Sequence, residues 1–457
     1  MDRQRSDDSA ERFSAYLGEL ASVIGHAARV GPLCDYCTGL LLPCERKSVE
    51  PIAAATAPDE TSAQHQSLLH FLAKGEWSDE KVLGKVRDLV LPHIERHGAI
   101  EAWIIDDTGF PKHGPHSVGV SHQYCGELGK QANCQIAVSL SVANQHASVP
   151  VAYRLYLPES WAKDKKRRRK AGIPDAIEFQ TKPKIALQQI EWACEAGIPR
   201  GVVLMDCAYG SDLSLRTRMT ALGLAYSVGI WARTLVRKAP ADAEPMTAID
   251  LARSLPKRGW RTIGWRVGTN APLVSRFARV RVRAAGEGTT KAQPEEWLIV
   301  EWPKDEKEPT KFWLSTLPEK IDFTRMIDVT MMRWRIERDY QELKQEVGLG
   351  HFEGRGWRGF HHHATMCIAA YGFLVSERSA FPPSGPRSRR FIQEPAIPQG
   401  YRPRGSPAPA RAPRPQLDRN SASAPQRRPR RHLVALSVLC KTDQHEPSTP
   451  ELVTQYD

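Results

Sequence analysis

Three apolar, β-branched runs follow one another without a helix between them, and the chain then changes to alternation. AIEAWIID, NCQIAVSLSVA and VPVAYRLYLP read as successive strands. KPKIALQQIEWACEAGIP reads as an amphipathic helix closed by Gly197 and Pro199. GVVLMD reads as a buried strand, SDLSLRTRMTALG as a helix and LAYSVGIW as another strand. Strands first and α/β alternation afterwards leave few solutions. They predict an α/β protein with a mixed sheet flanked by helices.

The flanking segments have other textures. Residues 1–95 read as a helical N-terminal region, with RFSAYLGELASVIGHA, QHQSLLHFLAKG and SDEKVLGKVRDLVLPHIERHG as its helices and Ser78 as an N-cap. Residues 96–231 hold the first part of the sheet. Residues 232–309 break its rhythm with alternating runs such as WRTIGWRVG, SRFARVRVRAA and EEWLIVEW, which predict an inserted β-rich subdomain. Residues 310–380 return to the sheet with KFWLSTL, then a long helix from Asp322 to Val347 and a second over FHHHATMCIAAYGFLVSERSA. Residues 381–457 are rich in Pro, Arg, Ser and Gly and read as a disordered tail, with HLVALSVLC as a short strand or helix.

Composition excludes several classes. Over 457 residues, 41% hydrophobic and 25% charged, the chain has length for a sizeable core and two or three domains. No apolar run approaches the roughly 20 residues needed to span a bilayer. The polar start, MDRQRSDDSAERF, does not read as a secretory signal, so a cytoplasmic location and no membrane partner are expected. Nine cysteines, an odd number scattered along the chain, argue against a disulfide framework. Cys34, Cys37 and Cys44 hint at zinc, with His65 or His70 as the fourth ligand. The net charge of +12 favours a polyanionic partner. Residues 381–457 carry 13 Lys and Arg against 6 Asp and Glu, so much of that charge belongs to the tail.

The candidate chemistry lies in three carboxylates. Asp107 and Asp206 each close an apolar run, where α/β sheets gather their ligands. Glu337 lies in the predicted helix. At 100° per residue Arg333 and Lys344 point within about 40° and about 20° of it. A carboxylate flanked by two cations suits a metal-bound phosphate; a solvated helix face has the same pattern. Two aspartates and a glutamate converging on one cavity repel unless cations neutralise them. Mg²⁺ or Mn²⁺ suits such an all-oxygen site, and two ions suit phosphodiester displacement.

On these residues the chain resembles the DDE transposases of bacterial insertion sequences, in the group with a Y-x2-R-x3-E-x6-K signature. Arg333, Glu337 and Lys344 match its last three positions, and Thr330 stands where the tyrosine belongs. Asp107, directly before Thr108 and Gly109, matches the first aspartate, and Asp206 in DCAYG the second. The intervals of 98 and 130 residues fit the family's layout. The resemblance covers roughly residues 10–380. It implies a ribonuclease-H-like core, a β-rich insertion before the glutamate, double-stranded DNA at element ends and target, and a homodimer in the synaptic complex. It assigns Arg333 and Lys344 to DNA phosphates. It also implies metal-dependent DNA cleavage and strand transfer at the element's terminal repeats. A transposase relic that only binds DNA and another ribonuclease-H-fold nuclease are the rival readings.

Other features compete. Asp106 is the alternative to Asp107 and, in a strand, points to the opposite face. Glu342 and Glu346 lie on the far side of the helix and read as solvated. Six of the twelve tryptophans fall between Trp231 and Trp313, where packing of β-structure explains most of them and a flipped base could stack on one. Lys163–Lys170 reads as a basic loop, solvated or gripping DNA backbone. His361, His362 and His363 point three ways on a helix, as a cap or a DNA-facing surface rather than a zinc set.

Overall fold

The computed structural model describes residues 2–238, 243–267, 272–286 and 293–381. Five helices lead the chain: α1 (Asp2–Ala21), α2 (Val30–Leu41), α3 (Val49–Thr56), α4 (Thr61–Ala73) and α5 (Asp79–Glu95). The Ser78 hydroxyl accepts from the Lys81 amide and caps α5. Neither α2 nor α3 is evident from the sequence, because internal Gly31, Pro32 and Pro51 mask their periodicity.

Next come β1 (Ala102–Pro111), β2 (Ser121–Cys125), β3 (Lys130–Ala143) and β4 (Ser148–Leu155). Short α6 (Glu159–Ala162) and α7 (Lys165–Ala171) precede α8 (Lys182–Glu195). The basic run is thus a helix rather than a loop: the Asp164 carboxylate caps the Arg167 amide, and Gly172 closes it at φ 64°. Then follow β5 (Val202–Met205), α9 (Cys207–Gly210), α10 (Leu213–Ala221) and β6 (Tyr226–Ile230). In the sheet β3 runs antiparallel to β1, β4 pairs with the outer edge of β3, and β5 and β6 run parallel to β1. The order β4-β3-β1-β5-β6 with these directions is a ribonuclease-H-like sheet. β2, too short and polar to stand out in the sequence, pairs with β3 beside β4.

The chain continues through β7 (Leu235–Lys238), β8 (Met246–Thr247), α11 (Ala248–Ser254), β9 (Trp260–Val267), β10 (Pro272–Ala284), β11 (Glu295–Trp302) and β12 (Lys311–Ser315). These strands extend the same sheet, because β12 lies antiparallel between β6 and β11. The final elements are α12 (Phe323–Met331), α13 (Trp334–Gln345) and α14 (Trp357–Ala380). The single helix expected over Asp322–Val347 is therefore two. Its i→i−4 ladder gives way to i→i−3 bonds, from the Met332 amide to Val329, from Arg335 to Met332 and from Ile336 to Arg333.

The two faces of β1 meet different neighbours. Trp103 and Ile105 join the main core, built with α1, α2, α5, α8 and α14. Ala102 and Ile104 pack under Val329, Met332, Ile336 and Tyr340. That second face carries the α12–α13 pair and sets the direction in which each carboxylate points. Residues 382–457, with HLVALSVLC, lie outside the described residues. Among the described residues no helix is long and apolar enough to cross a membrane.

Candidate active site at the carboxyl edge of β1 and β5

β1 does not end at its aspartates. It pairs with β3 as far as Pro111, but with β5 only as far as Ile104 opposite Leu204. β5 then stops at Met205 and turns into α9. Beyond Ile104, one side of β1 therefore opens, and Asp106 and Asp206 follow at equal steps along the two neighbouring segments. Asp206 caps α9: its Oδ1 accepts from the amides of Ala208 at 3.0 Å and Tyr209 at 3.3 Å. α9 presses on β6 where side chains are absent. A Cβ on Gly210 would lie 2.1 Å from the Gly229 carbonyl oxygen.

Strand alternation separates the adjacent aspartates. Asp106 is paired with Ser139, whose hydroxyl meets Tyr340 of α13 at 2.8 Å. The Tyr340 hydroxyl also donates to the Asp106 carbonyl oxygen at 3.0 Å. Asp106 thus lies on the α13 face. Its Oδ2 accepts from Arg333 at 2.8 Å, and the same guanidinium donates to Glu337 one turn along. Leu204, two residues before Asp206, packs into the cluster under α13. Asp106 and Glu337 are accordingly joined through one guanidinium under α13, and Asp206 stands at the end of the adjoining strand as the cap of α9.

Asp107 is on the other side, with its side chain fully buried. Its Oδ2 accepts from Lys182, the first residue of α8, at 3.1 Å and from the Tyr209 hydroxyl at 3.0 Å. Burial pushes the Tyr209 hydroxyl well above the usual tyrosine range, and Asp107, Asp106 and Asp206 push it the same way. It therefore remains a donor. Sequence reasoning misses both Lys182 and Tyr209. Tyr209 lies in the DCAYG run, three residues after Asp206, whereas nothing local marks Lys182.

Lys344 reaches along α13 to the Gly109 carbonyl oxygen and the Glu127 carboxylate, each at 2.6 Å. Several expectations fail on burial. Thr330 cannot stand in for a phosphate-binding tyrosine, because its hydroxyl is buried against Ser227 at 2.8 Å. Glu342 is not solvated but buried between Arg338 and Arg378, while Glu346 is exposed. The three histidines are neither a cap nor a surface. His361 accepts from the Leu155 amide, His362 lies between the carbonyl oxygens of Leu72 and Trp77, and His363 joins the Tyr36 hydroxyl to the Gly348 carbonyl. Trp297 and Trp313 are core residues, while Trp231 is 55% exposed. Among the described residues no three His, Cys, Asp or Glu side chains converge as a metal-binding group, neither at Cys34, Cys37 and Cys44 nor at the carboxylates. At the carboxylates the Arg333 guanidinium supplies the positive charge.

A ribonuclease-H-like sheet with acidic side chains gathered where β1 and β5 part defines the class of protein. The chain matches the family described as DDE superfamily endonuclease over residues 19–272, and that described as transposase DDE domain over residues 186–373. The first match spans more than half of the chain, and the protein belongs to the DDE superfamily of endonucleases. It is also 30% identical over 193 residues to the probable transposase for insertion sequence element IS701 of Microchaete diplosiphon. That stretch is 42% of this chain and 46% of the relative, so the chain spans about half of the relative's length.

Proposed function

We propose that the protein is a transposase that cuts double-stranded DNA at the terminal repeats of its own element and joins the freed end to target DNA, acting as a homodimer on paired ends. The observation that carries this reading is the Arg333 guanidinium shared by Asp106 and Glu337 under α13, with Asp206 at the adjoining strand end. Their donor set is carboxylate oxygen alone, the chemistry that suits Mg²⁺ or Mn²⁺. A cation already sits between two of them, as Arg333, so the group is built to be neutralised. The three carboxylates would hold one or two ions, with Asp106 in the place that the motif gave to Asp107. When bound, such ions activate an attacking oxygen and stabilise the leaving one. Arg333 offers a fork and Lys344 a point charge, and both suit the phosphates of the cleaved strand. Tyr340 holds β1 in place from α13 through the Asp106 carbonyl.

The test compares Asp106→Asn with Asp107→Asn on a labelled element-end duplex in Mg²⁺. Asp106→Asn removes a metal ligand at nearly constant volume and should lower the cleavage rate by roughly a hundredfold or more. Melting near the parent temperature excludes unfolding as the cause. Normal cleavage by Asp106→Asn would remove it from the metal set. A parent chain that binds the duplex in Mg²⁺ yet never nicks it would point to a DNA-binding relic.

A further inference from the structure

We propose that Asp107 is a positioning residue, which acts from the far face of the sheet through Tyr209 to set the Asp206 carboxylate. This rests on the reading of Asp106, Asp206 and Glu337 as the metal-holding group. Tyr209 is buried and has two donors aimed at two aspartates. Its hydroxyl meets Asp107 Oδ2 at 3.0 Å, and its amide meets Asp206 Oδ1 at 3.3 Å. The Ala208 amide adds a second bond to that oxygen at 3.0 Å. A carboxylate held by two backbone donors has its rotamer fixed, and the turn that carries those donors is only four residues long. Something must fix the turn. β6 supports it from one side through Gly210 and Gly229, and the Tyr209 phenol anchors it to β1 from beneath.

An isolated buried carboxylate is costly, and pairing it with a cation and a hydroxyl offsets part of that cost. Lys182 and Tyr209 give Asp107 that pairing. The arrangement explains two adjacent aspartates with opposite directions: one faces the reaction, and the other ties the neighbouring strand end into register with it. Partners that orient a metal ligand are worth roughly 10- to 100-fold in metal affinity.

The experiment uses the full chain and measures Mn²⁺ binding without DNA by calorimetry, Mg²⁺ dependence of end cleavage, and thermal melting. Tyr209→Phe removes one oxygen and keeps the ring. We expect its Mn²⁺ affinity to fall about tenfold and the half-saturating Mg²⁺ to rise by the same factor. Cleavage at saturating Mg²⁺ should stay within about threefold of the parent. Asp107→Asn should move in the same direction, and the double variant should be no worse than the poorer single one, because both act on one path. Parent-like Mn²⁺ binding by a folded Tyr209→Phe would overturn the proposal. So would loss of cleavage by folded Asp107→Asn at every Mg²⁺ concentration, which would make Asp107 a ligand. Asp106→Asn with unaltered Mn²⁺ binding would instead remove the metal group on which the proposal rests, a failure read from a different residue.

Discussion

Asp339 lies two residues beyond Glu337 on α13, turned inward. It is fully buried, and its Oδ1 accepts from the hydroxyls of Ser148 at 2.6 Å and Tyr371 at 2.9 Å. Burial pushes its pKa up to about 6, against the lowering effect of those hydroxyls. A carboxyl group raised in the folded state favours folding most strongly when protonated. Its contribution is complete below the unfolded value near 4 and is lost as pH rises through about 6. The shift corresponds to roughly 3 kcal/mol. Asp339→Asn cannot ionise. The stability of the variant relative to the parent should therefore improve between about pH 4 and pH 7. Urea unfolding across that range reads the difference directly, and a pH-independent difference would mean that folding leaves the Asp339 pKa unshifted.

At the scale of elements, α14 is the strut that joins the N-terminal helices to the sheet. Its three histidines bond to three different neighbours, and its Gly372 lets α5 and α1 approach. A Cβ there would meet Val86 and Val90 at 3.0 Å and the Tyr16 hydroxyl at 3.2 Å. Gly372→Ala should therefore cost roughly 1–3 kcal/mol through overpacking. Gly84 on α5 has nothing within 4 Å of the same position, and Gly84→Ala should gain roughly 0.5–1 kcal/mol. Thermal melting of the pair separates crowding from helix propensity. The element scale also explains what can be read from the chain and what cannot. Ser78 and the α8 helix are legible because a cap and a 3.6-residue period are local. The break at Met332–Arg333 is not, because Met332 and Ile336 keep helical spacing across it. Alternation says that Asp106 and Asp107 must part. Which of the two lies under α13 depends on where that helix packs, a contact formed from more than 200 residues away. The histidines' three directions are legible, but not their burial, which comes from α2, α4 and β4.

For the molecule as a whole, charge and topology are unevenly distributed. Residues 381–457 carry a balance of +7 out of +12. A chain ending at residue 381 keeps every described strand, and should bind non-specific DNA more weakly with a shallower salt dependence. Each phosphate that the shortened chain no longer neutralises takes about 0.9 off the slope of log affinity against log salt. Titrations at two or more salt concentrations test this, and an unchanged slope would place the phosphate-binding cations elsewhere. Topology has a different consequence. Ile230, the last residue of β6, lies directly opposite Phe312 of β12. The two points where the chain leaves and re-enters the central strands are thus one strand spacing apart, about 4.8 Å. Everything from Trp231 to Lys311 is, to the central strands, a very long hairpin turn. Evolution could lengthen, shorten or exchange that turn without moving either end, much as a bracket holds its spacing whatever is hung from it.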